Sequence, residues 1–101
     1  MANDATSDRL WILDTAAIIK AVGTRVYVRR LVLYPAAVSD AATIQEYGAD
    51  GVARTAMYIK AGPSDTSGVT LPWDPDCRET NGFNLSAISA GATLYVYLGK
   101  G

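Results

Sequence analysis

The sequence predicts an all-β fold: a small antiparallel β-sandwich, jelly-roll-like, with seven or eight short strands. Three observations predict it. Two runs, RVYVRRLVLY from Arg25 to Tyr34 and ATLYVYL from Ala92 to Leu98, are rich in the β-branched and aromatic residues that suit a pleated, half-buried surface. Clusters of Gly, Pro, Asp and Ser punctuate the chain between short apolar runs. No segment sustains a helical period over the length a stable helix needs.

The first eight residues, MANDATSD, are small, polar and aperiodic, and read as a flexible N-terminal arm before a single domain over 9–101. RLWILDTAAIIKAV fits a helical stripe through Leu10, Leu13 and Ala17, but also two short extended pieces, and the extended reading is preferred. Gly23 then punctuates the chain before the Arg25–Tyr34 strand, which Pro35 stops. That strand carries an irregular phase. Val26 and Val28 alternate with Arg25, Tyr27 and Arg29, yet the same alternation sends Arg30 inward with Val32 and Tyr34, and Leu31 and Leu33 outward. Either a bulge resets the phase near Arg29 and Arg30, or both faces of the second half are covered.

Further along, Pro35 to Ala42 reads as a loop, Thr43 to Tyr47 as a strand, and Gly48 to Gly51 as a hairpin turn on its Asp50-Gly51 pair. A strand from Val52 to Lys60, a loop from Ala61 to Gly68 and a short strand at Val69 to Leu71 follow. Pro72 to Gly82 reads as a loop, Phe83 to Ile88 as an extended segment, and Gly91 as the turn into the last strand. There Leu94, Val96 and Leu98 share one face and Thr93, Tyr95 and Tyr97 the other.

Composition narrows the function classes. At 10.7 kDa the chain should expose roughly 5,500 Å² when folded, which leaves a thin core that oligomerisation would supplement. With 9 basic against 10 acidic residues, and one basic cluster at Lys20, Arg25, Arg29 and Arg30, the footprint for nucleic acid is weak. No stretch approaches a membrane span, and the polar, acidic start is unlike a secretory signal. The single cysteine, Cys77, suits a reducing compartment and reads as an ordinary loop thiol. With no histidine, the commonest general base and zinc ligand are missing, so the chain is expected not to be an enzyme and to hold no cofactor.

Other acids offer little more. Asp74, Asp76 and Glu79 have a spacing that could wrap calcium, but they lack the full loop pattern and read as a solvated turn around Pro75, with no metal. A glycosidase pair drawn from Asp14, Asp40 or Glu46 would need a cleft that so small a domain has little wall to build. The aromatic residues say more. Tyr27, Tyr95 and Tyr97 fall on the outward faces of the two clearest strands beside Arg29 and Arg30, and exposed tyrosines with arginines mark interfaces. These five residues are the candidate interface; the competing reading is a second covered core face. A carbohydrate-binding module stacking sugars on Trp11 or Trp73, beside Asp74 and Asp76, is the alternative function.

Taken together, TRVYVRRLVLYP at Thr24 to Pro35, TIQE at Thr43 to Glu46 and GATLYVYLGKG at Gly91 to Gly101 resemble the small accessory structural proteins of tailed bacteriophages. The resemblance lies in texture over roughly residues 9 to 99, not in a diagnostic motif. It implies a non-enzymatic virion protein, assembled in the host cytoplasm, that decorates or cements a capsid or joins a tail. Its expected partners are copies of itself and a capsid or other virion protein, with no nucleic acid and no membrane.

Overall fold

The computed structural model describes residues 3–6, 9–62, 68–73 and 77–99. Among these, seven strands form: β1 Leu10–Leu13, β2 Ala17–Tyr34, β3 Ala41–Tyr47, β4 Ala53–Lys60, β5 Val69–Pro72, β6 Arg78–Ile88 and β7 Thr93–Leu98. All pairings are antiparallel, in one sheet of order β1-β7-β2-β6-β3-β4, with β5 also paired to β2. The fold is all-β, as the sequence predicts.

β2 organises the sheet. An 18-residue strand would run about 59 Å if straight, at roughly 3.3 Å per residue. The longest dimension of the molecule is 38 Å, so β2 must bend. It bends at two irregularities in its register, one between Ile18 and Arg25 against β6 and one between Val28 and Arg30 against β7. Gly23, which the sequence reading took as a break between strands, lies inside the first irregularity at a φ of 93° that side chains resist. The first half of β2 pairs with β6, and the second half with β7 on one edge and β5 on the other. The two layers are thus halves of one sheet, because β2 is long enough to belong to both.

The second irregularity answers the phase question. Before it Val26 and Val28 are buried; after it Leu31 and Leu33 are buried, and Arg30, Val32 and Tyr34 turn to the other face. One extra residue in β2 opposite β7 moves every later side chain across the sheet. Trp11 and Leu13 of β1, Leu94 and Val96 of β7, Phe83 and Leu85 of β6, Ala42 and Ile44 of β3 and Met57 and Ile59 of β4 join these in one core. β4 also approaches β2 and β5 without pairing with them, as a sheet folded over its own apolar face requires.

Two sequence readings are corrected. Arg78 to Gly82, read as loop, opens β6, and Ala41 and Ala42, read as loop, open β3. The start of β6 looks polar because side-chain hydrogen bonds hold it in place of apolar burial. Arg78 reaches Glu46 at 3.4 Å, Asn81 donates to the Tyr47 carbonyl at 2.9 Å and accepts from the Gly23 N–H at 2.7 Å, and Glu79 pairs with Arg25. The turn at Gly48 to Gly51 forms as expected, with Gly48 and Val52 joined by a backbone hydrogen bond and Gly51 at a φ of 78°. Of the N-terminal arm, Asn3 to Thr6 lie along the free edge of β1. Asp4 and Ile12 exchange both backbone hydrogen bonds, and the Asn3 Oδ1 accepts from the N–H groups of Asp14 and Thr15.

Candidate functional site

The outer face of the layer made by β1, β7, the second half of β2 and β5 carries the candidate interface. Cross-strand register lines its residues in rows. Leu10 faces Tyr97, Tyr97 faces Arg30, and Arg30 faces Pro72; one pleat further on, Ile12 faces Tyr95, Tyr95 faces Val32, and Val32 faces Thr70. Side chains so placed touch directly. The Arg30 guanidinium lies 4.6 Å from the centre of the Tyr97 ring, within cation–π range, and Tyr34 meets Tyr95 edge to face at 4.9 Å.

Leu10, Ile12, Arg30, Val32, Tyr95 and Tyr97 are half-buried by one another, and Tyr34 remains 47 % exposed. Among the described residues no further strand or helix is laid over this face. At strand spacings of about 4.8 Å the rows, with their side-chain margins, cover on the order of 400 Å². That is within the range of the largest apolar patches on monomers, which are often functional.

Of the five candidate residues, the structure brings Arg30, Tyr95 and Tyr97 together and sets the other two apart. Tyr27 pairs across to Glu79 on β6 and lines a cleft with Arg25, beyond the bulge. Arg29 is exposed at the bulge, its stem against Gly99; a Cβ on Gly99 would come within 2.6 Å of the Arg29 Cγ and 2.5 Å of the Cys77 Sγ. Tyr34 belongs to the cluster but is missing from the sequence-based set. Its signal was the bulge: Arg30, Val32 and Tyr34 share a face by alternation, and once the phase resets at Arg29 and Arg30 that face is the outer one.

The carbohydrate platform fares differently. Trp11 is 3 % exposed and packs edge-on against Phe83 at 5.2 Å, so it cannot stack a sugar on its face. Trp73 is half-buried against the core, its backbone N–H donating to the Arg29 carbonyl at 2.8 Å. Asp74 and Asp76 lie outside the described residues, and Glu79 is engaged with Arg25. Among the described residues no group of three metal-ligating side chains converges.

The chain matches no family model, no curated protein and no solved structure.

Proposed function

We propose that this is a non-enzymatic assembly protein that associates with copies of itself through the outer face of β1, β7, β2 and β5, and that it serves as an accessory component of a phage virion, decorating or stabilising a capsid. The observation that carries the assembly reading is the pair of rows through Tyr97 and Tyr95, which present aromatic, aliphatic and arginine side chains with no strand or helix over them among the described residues. Interface cores are enriched in Tyr and Arg and poor in Lys, Glu and Asp, and none of those three lies in either row. The virion setting is supported by the sequence resemblance alone.

The folded surface, 5541 Å², is that of an ordinary monomer of this mass, so the case rests on the make-up of one face and not on excess surface. Two such faces in contact would bury about 800 Å², at the weak end of specific interfaces, so assembly is concentration-dependent in solution. A capsid would raise the local concentration.

Light scattering across a concentration series tests this. The wild-type chain is expected to gain mass with concentration, while a Tyr95→Ser, Tyr97→Ser variant with unchanged far-UV circular dichroism stays monomeric. A wild-type mass that stays monomeric to millimolar concentration, or a variant that assembles equally well, would sink the reading.

A further inference from the structure

The basic cluster legible in the sequence is not absorbed by the outer face, since only Arg30 of its four members lies there. Lys20 and Arg25 line a cleft of about 280 Å³ with Thr6, Trp11, Thr24 and Tyr27, closed at one end by Leu98 and Gly99. Its origin is topological. β7 pairs with β2 only from Val28 to Tyr34, so the edge of β2 before Val28 diverges from β7 and leaves a wedge between the strands. The N-terminal segment at Ala5 and Thr6 forms the opposite wall.

The wedge gathers donors. The Lys20 Nζ sits 5.7 Å from the centre of the Trp11 ring, and the Arg25 guanidinium bonds Glu79 in a pair exposed on both sides. An exposed pair of that kind contributes little, so Arg25 can exchange its carboxylate partner for another anion at small cost. The Tyr27 carbonyl accepts from the Gly99 N–H on this edge, and strand alternation therefore aims the Arg25 N–H at the same edge, where no strand pairs with it among the described residues. Thr24 and Tyr27 also line the cleft and carry hydroxyls, whereas the Thr6 hydroxyl donates to the Asp4 carboxylate at 3.0 Å.

We propose that this cleft binds a small anionic ligand, a phosphate- or carboxylate-bearing molecule of about monosaccharide size. Lys20, and Arg25 once an incoming anion displaces Glu79 from it, select the charge. The volume, just below that of drug-sized pockets, selects the size. The site does not depend on the assembly face, and its failure leaves that reading untouched.

Isothermal titration calorimetry of the full chain with inorganic phosphate, glucuronate and glucose tests the site. Saturable binding is expected for at least one of the two anions, and the ratio of their affinities tells a phosphate site from a carboxylate site. Glucose should bind at least tenfold more weakly than the better anion. Lys20→Gln and Arg25→Gln should each weaken that anion about tenfold or more, because each removes a charge-assisted hydrogen bond. The same substitution at Lys60, on exposed β4, should change nothing. Circular dichroism separates loss of the site from loss of the fold, and the milder Lys20→Arg should retain binding. Absence of saturable binding by either anion, equal binding of glucose, or an equal loss on Lys60→Gln overturns the proposal.

Discussion

Gly82 shows how much one hydrogen atom in place of a methyl group can decide. It sits in β6 at a φ of 76°, and a Cβ there would meet the Tyr47 ring at 2.6 Å and the Ala21 carbonyl oxygen at 3.0 Å. Gly23, at a φ of 93°, has nothing within 4 Å of such a Cβ. Gly82→Ala therefore combines backbone strain with a clash and should cost about 2–4 kcal/mol, whereas Gly23→Ala carries the strain alone, about 1–2 kcal/mol. Thermal melts of the two variants check the order; the difference corresponds to several degrees in Tm. At the β3–β4 turn, the Arg54 guanidinium on Asp50, with a second bond from the Val52 N–H, holds the Asp50 carboxyl below its ordinary range. Whatever stability that pairing gives is present above the ordinary carboxylate pKa and is lost as pH falls through the lowered one. The pair is fully exposed, so the effect on the whole fold is small.

At the scale of an element, the bulge in β2 fixes which residues are core and which are face. Deleting Arg29 removes the extra residue and leaves Val26, Val28, Leu31 and Leu33 in one unbroken alternation with Arg30 outward, so the burial pattern survives while the local irregularity against β7 is lost. The deletion should keep cooperative thermal unfolding at a lowered Tm, since it also removes the carbonyl that accepts from the Trp73 backbone N–H, while Arg29→Ala should lower Tm less; calorimetry on both separates the role of the residue count from that of the side chain. The sequence left this feature as one of two readings, a bulge or a strand covered on both faces, because a charged residue cannot share the inward phase of Val26 and Val28 without a partner. Tyr95 and Tyr97 were legible from the clean alternation of β7. The start of β6 was hidden, since a strand held by Arg78, Glu79 and Asn81 through side-chain hydrogen bonds resembles a loop to any reading based on apolar pattern. The cleft was hidden for another reason. Its lining comes from residues 5–6, 11, 20, 24–27 and 98–99, and the divergence of β7 from β2 leaves the space between them.

For the whole molecule, the pairing is dominated by partners far apart in sequence. Among the described strands, β1 and β2 pair with β5, β6 and β7, and β1 pairs with β7 across nearly the full chain, Leu10 opposite Tyr97. A topology of this kind closes long loops before it gains contacts, so refolding from denaturant should take milliseconds to seconds, not microseconds. Stopped-flow tryptophan fluorescence checks this, since Trp11 is packed on Phe83 only in the folded state.

The same pairing has a consequence on the ribosome. Translation delivers β2 first and the strand that pairs with its second half, β7, last; at 5–20 residues per second the gap from Tyr34 to Leu98 lasts about 3–13 s. Throughout that interval the nascent chain carries LVLY, an apolar strand whose β7 edge is unpaired. Arg29 and Arg30, immediately upstream, place two like charges where neighbouring nascent chains would have to align to pair in register, and so act as gatekeepers against co-aggregation before they serve the folded protein.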